Sequence, residues 1–108
     1  MNLEDTYGLN ADDLFSAERT AAAALNCAFR LCENDSRGGD YFRFDDESGR
    51  NLYLLQENFV PDEDAWVEPM HQDLKFVLYT NFEDMEKREV ARRKLVEGGA
   101  QLLRSRPG

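Results

Sequence analysis

The chain has 108 residues, 42% hydrophobic and 32% charged, with 22 acids against 13 lysines and arginines and a net charge of −9. That length and composition fit one folded domain over 1–108, and exclude both two separate cores and a disordered chain. The acidic balance speaks against direct nucleic-acid binding and against adhesion to anionic membranes, because both partners present phosphates.

No apolar run approaches the roughly 20 residues that a membrane-spanning helix requires. Met1-Asn2-Leu3-Glu4-Asp5 lacks the basic and apolar regions of a secretory signal, so a cytoplasmic setting is expected. Residues 1–11 read as a lead-in, with Leu3, Tyr7 and Leu9 as apolar contacts. A first helix is expected from about Asp12 to Glu33. Leu14, Ala17, Ala21, Leu25, Ala28 and Cys32 recur there at steps of three or four, and Phe15, Ala22 and Phe29 widen the stripe. Asn10 or Asp12 can cap its start. Cys27 and Cys32 are the only cysteines. On one helix they would lie about 140° apart, which points to separate buried thiols rather than a disulfide.

Asn34-Asp35-Ser36-Arg37-Gly38-Gly39 breaks the helical pattern. Asp40 to Asp45 and Asn51 to Phe59 read as two strands joined by an Asp46-Glu47-Ser48-Gly49 hairpin turn. Phe42 and Phe44 share one face of the first strand, and Tyr41, Arg43 and Asp45 the other. Val60 to Asp73, with Pro61 and Pro69, is a long irregular segment, and such segments are often functional. Leu74 to Thr80 is a third strand. Asn81 caps a second helix from Phe82 to about Glu97, whose early acids and late bases match the helix dipole. Gly98-Gly99 stops it. Ala100 to Leu103 suits a short edge strand, and Arg104 to Gly108 a frayed tail. The expected fold is α+β: a mostly antiparallel sheet of three to four strands packed against two helices, in the order α-β-β-β-α-β.

Catalytic chemistry finds little footing. His71 is the only histidine, and Pro69-Met70-His71-Gln72 offers no nucleophile beside it. A calcium loop counted from Asp62 would need glycine at its sixth position and glutamate at its twelfth, where Val67 and Asp73 stand. One histidine and no cysteine pair at ligand spacing leave zinc without a donor set. A weak divalent site bridging Asp45-Asp46-Glu47 and Asp62-Glu63-Asp64 stays open. Gly38-Gly39 precedes a strand, whereas phosphate loops precede a helix. Arg88, Arg92, Arg93 and Lys94 read as a solvated helix face, with Glu89 at pairing distance. Neither cofactor nor metal is expected.

Binding has more to go on. Glu33 to Asp73 holds twelve acids against three arginines, together with Tyr41, Phe42, Phe44, Tyr53, Phe59 and the only tryptophan, Trp66. Trp66, ringed by Asp62, Glu63, Asp64 and Glu68, is either a lid on the core or an aromatic anchor whose neighbouring acids steer a basic partner. Tyr41, Tyr53 and Asp45 on one strand face, with Asp46 and Glu47 in the turn, would extend that surface. In size, charge and α+β order the chain resembles bacterial immunity proteins and similar toxin-neutralising domains. That resemblance implies a non-catalytic inhibitor of a basic protein partner, a toxin or a nucleic-acid-acting enzyme, working as a monomer or homodimer. It assigns no residue. The alternative is a small-molecule binding module or accessory subunit, with Phe42, Phe44, Leu54, Phe76 and Leu78 lining an apolar pocket between helices and sheet. A third reading is an oligomeric accessory pairing through the edge strand at Ala100 to Leu103.

Overall fold

The expected lead-in is a strand buried within a sheet. Leu3, Tyr7 and Leu9 alternate with Glu4, Thr6 and Gly8, so one face of residues 3–9 is apolar except for Asp5. In the computed structural model, which describes residues 2–47, 49 and 51–107, this strand β1 (Leu3–Leu9) pairs with two neighbours. Ser48 of the expected turn and Gly108 of the expected tail lie outside the described residues. Helix α1 (Leu14–Leu25) follows, then β2 (Arg30–Asn34), β3 (Gly39–Asp45) and β4 (Leu52–Glu57). An excursion holds the two-residue strands β5 (Phe59–Val60) and β6 (Ala65–Trp66), after which come β7 (Phe76–Phe82), α2 (Met85–Glu97) and β8 (Gln101–Pro107). The large sheet has six strands in the order β2-β3-β4-β7-β1-β8, every neighbouring pair antiparallel. The α+β class and the two helices stand as expected, but the sheet is larger.

Two strands come from segments with weak apolar alternation. Asp13 caps α1 by accepting from the Ser16 N–H at 2.7 Å, one residue later than expected. The helix stops at Asn26, which adopts a left-handed conformation (φ 52°), and Cys27 N–H closes onto the Ala22 carbonyl. Asparagine tolerates that geometry better than most residues. Released from the helix, Arg30–Asn34 pairs with β3 across a short 3₁₀ turn, Asp35–Arg37, whose entry Asn34 caps. Gly38 and Gly39 carry the chain through it at φ 86° and 99°. The stripe through Ala28 and Cys32 therefore matched helical spacing without being helix. At the other end, residues 104–107 belong to β8, where the Arg92 side chain reaches Ser105. Asn81 and Phe82 stay in β7 opposite Glu4 and Leu3, so Asp84 rather than Asn81 caps α2.

The register builds one apolar row straight across the sheet: Leu31, Phe42, Leu55, Leu78, Tyr7 and Leu102. Leu14, Ala17 and Ala21 of α1 and Ala91 and Leu95 of α2 pack on this face to complete the core. Alanines on the inner side of α1 let the helix approach closely. No helix among the described residues is long and apolar enough to cross a membrane.

The opposite face is half covered. Asn58, fully buried, organises the excursion: its Nδ2 donates to the His71 and Leu74 carbonyls, and its Oδ1 accepts from Glu68 N–H. Asn10 pins the far end, donating to the Asp73 carbonyl and accepting from Lys75 N–H. Leu74 then lies so close to β1 that a Cβ at Gly8 would stand 2.2 Å from its Cδ1. Glycine is favoured there by the close approach rather than by backbone angle.

Candidate binding surfaces

Three regions carry the chemistry: an acidic end of the sheet, a groove on the helical face and a cleft on the open face. The acidic end arises from the β2–β3 connection. Glu33 and Asp40 are cross-strand partners, and Asp35 lies in the turn between them. Like charges directly opposite on antiparallel strands repel. The 3₁₀ turn Pro61–Glu63 packs beside the turn Asp35–Arg37, which adds Asp62, Glu63 and Asp64. All six carboxylates, Glu33, Asp35, Asp40, Asp62, Glu63 and Asp64, are exposed, and none makes an ion pair among the described residues. The nearby Arg37 is committed elsewhere: it donates to Gln56 Oε1 at 3.0 Å and sits 5.6 Å over the Tyr41 ring.

Of the residues expected on one acidic-aromatic surface, only some meet. Asp62, Glu63 and Asp64 are together, and Tyr41 lies near them on the open face. Asp45, Asp46 and Glu47 stand at the other end of β3, about 17 Å along the strand. That separation rules out a divalent site bridging the two acid runs. Among the described residues, no group of three His, Cys, Asp or Glu converges as metal ligands would. Asp45 is paired with Arg43 at 2.9 Å, and Asp46 accepts from Asn51 Nδ2 at 2.6 Å to hold the hairpin turn.

Tyr53 does not share Tyr41's face. The hairpin register places it opposite Phe44, on which its ring stacks at 5.0 Å, and it is buried on the helical side. Glu68 is buried too, ion-paired with Arg104 of β8. It anchors the excursion instead of steering a partner. Trp66 is half-buried and packs on Phe59, its cross-strand neighbour, at 5.2 Å. Glu33, Asp35 and Asp40 were missing from the expected surface because residues 26–33 read as helix. The alternation Arg30-Leu31-Cys32-Glu33 running into Gly38-Gly39 was the available signal.

The groove, about 600 Å³, opens between the C-terminal end of α1, the start of α2 and the β3–β4 hairpin. Leu25, Phe44, Tyr53, Phe82 and Val90 give it an apolar floor, and Asp84, Glu86, Lys87 and Lys94 a charged rim. Of the five residues expected to line such a pocket, Phe44 does. Phe42, Phe76 and Leu78 are core, and Leu54 faces the other side. Burial and the Glu18 carboxylate push the Cys27 thiol up to about 11, so it is protonated at neutral pH. Burial, with the charges of Cys27 and Asp46, raises Tyr53 to about 12. Asn51 Oδ1, at the groove wall, is buried with no hydrogen-bond partner among the described residues.

No family model matches the chain, and no curated protein matches it either.

Proposed function

We propose that the protein is a non-catalytic binding protein that neutralises a basic partner protein, in the manner of an immunity protein or nuclease inhibitor, through the acidic end of its sheet. The observation behind this reading is the set of six exposed carboxylates with no ion-pair partner among the described residues, two of them facing each other across β2 and β3. Such an array opposes folding by self-repulsion, and a partner's lysines and arginines would relieve it. Carboxylates spaced along a turn can also stand where a nuclease expects phosphates, forming charge-assisted hydrogen bonds to guanidinium groups. Tyr41 and Trp66 would supply apolar contact beside them.

The test is capture of the partner on immobilised protein at low and at roughly 0.5 M salt, followed by assay of the captured partner's own activity. The reading expects a stoichiometric basic protein, inhibited when bound and released by salt. Binding should also be lost with Asp62→Asn, Glu63→Gln and Asp64→Asn combined. A partner held equally well by that variant would overturn it. A second reading, small-molecule binding in the groove, is favoured by its apolar floor with a charged rim. Ligand-induced stabilisation abolished by Val90→Trp would support it.

A further inference from the structure

The half of the open face that the excursion leaves bare holds a cleft of about 400 Å³, and its chemistry is opposite to that of the acidic end. Two cross-strand rows form its floor. One runs Arg104, Thr6, Tyr79, Leu54, and the next runs Arg106, Glu4, Asn81, Leu52. Arg104 and Arg106 thus point the same way from β8, two residues apart. Arg37 enters from the β2–β3 turn, so three of the chain's arginines line one depression on an acidic protein.

Two of these arginines are already positioned. Arg37 is fixed by Gln56 and the Tyr41 ring, and Arg104 by Glu68. Burial and the Glu68 carboxylate raise the pKa of the Tyr79 hydroxyl, and the charges of Arg104 and Arg37 oppose them, so both arginines stand within electrostatic reach of Tyr79. Arg106 makes no ion pair or hydrogen bond among the described residues, and Glu4 is its cross-strand neighbour. Guanidinium groups held in place by protein contacts lose little freedom on binding an anion. Beside them, Leu52, Leu54 and Tyr79 form an apolar stretch of the floor.

We infer that this cleft binds a small phosphorylated ligand carrying a flat ring, the chemistry of a nucleoside monophosphate. A phosphate has three oxygens to share among three guanidinium groups, where a carboxylate has two. Leu52, Leu54 and Tyr79 offer the ring an apolar bed. The volume suits a ligand of that size. A polynucleotide is disfavoured because the chain carries a net charge of −9 and would repel each further phosphate.

The experiment is calorimetric titration of the full chain at low salt with AMP, GMP, CMP and UMP, with inorganic phosphate, and with the four nucleosides. At least one nucleotide should bind with Kd below about 1 mM, and at least about tenfold more tightly than phosphate or its nucleoside, since both halves of the site contribute. Arg106→Ala, on an exposed edge strand, should stay folded and weaken that nucleotide about tenfold or more. Arg93→Ala on the exposed face of α2 should leave it unchanged. Three results would overturn the inference: no nucleotide binding, binding undiminished by Arg106→Ala, or tighter binding of a single-stranded oligonucleotide than of any mononucleotide.

Discussion

Asp5 and Asp62 carry the same side chain under opposite conditions. Asp5 is fully buried on β1, where Arg92 of α2 donates to both its oxygens at 3.0 and 3.2 Å and Tyr7 donates at 3.0 Å. Arg92 also reaches Ser105 Oγ at 2.9 Å, so one network ties α2 to β1 and β8. Asp62 stands in water among five like charges. The first carboxylate is held by the fold, and removing its partner would leave an unpaired charge in the interior. The second makes no ion pair among the described residues. Burial and pairing, more than the count of acids, separate the charge that holds the fold from the charge left in solvent here.

The widest gap between the two regions should appear on removing a partner. Arg92→Ala strands Asp5 and should cost about 3 kcal/mol, the lower end of the range for a buried pair because 26% of the Arg92 side chain is exposed. Urea denaturation with an unchanged m-value would check it. Next comes Asn58→Ala, which removes three side-chain hydrogen bonds and leaves Glu68 N–H without its acceptor. It should cost roughly 2–3 kcal/mol. Hydrogen exchange should rise over residues 58–75 while β1 and β7 stay protected. Gly8→Ala is milder, about 1–2 kcal/mol, because the atom it meets is the tip of a leucine that can turn aside.

Acid should reveal the same asymmetry. Burial pushes the Asp5 carboxyl up, but hydrogen bonds from Arg92, Ser105 and Tyr7, with the Arg92 charge, outweigh it and hold the group below 3.8. A group with a depressed folded pKa stabilises above its unfolded pKa and loses that contribution as pH falls through the folded value. Wild-type stability should therefore fall more steeply than that of Asp5→Asn below about pH 3.8. The smallest effect belongs to the acidic end. Asp62→Asn, Glu63→Gln and Asp64→Asn together should leave the melting temperature within about 2 °C or raise it slightly, since self-repulsion is reduced.

The sequence made the local elements legible and left the long-range ones hidden. Phe42 and Phe44 with Leu52 to Leu55 announced the β3–β4 hairpin by alternation, and the charges of α2 announced its direction. β1 was obscured because an interior position of its apolar face is Asp5, and the residue that makes this acceptable lies 87 positions away. Glu68 looked like a surface acid for the same reason, its partner Arg104 being 36 residues on. Tyr53 was assigned to the wrong face because a strand's register cannot be read before its turn is known. Asp62, Glu63 and Asp64 are exposed as expected, because an unpaired surface charge needs no partner within the chain. Glu33, Asp35 and Asp40 joined them only once Asn26 had ended the helix.

Hydrogen–deuterium exchange on the complex with the captured basic partner is the most direct test of the acidic end as the binding surface. Slowed exchange confined to residues 33–41 and 61–66, with 46–51 and 84–94 unchanged, is the predicted result. Protection centred instead on the hairpin turn and the groove beside α2 would contradict it.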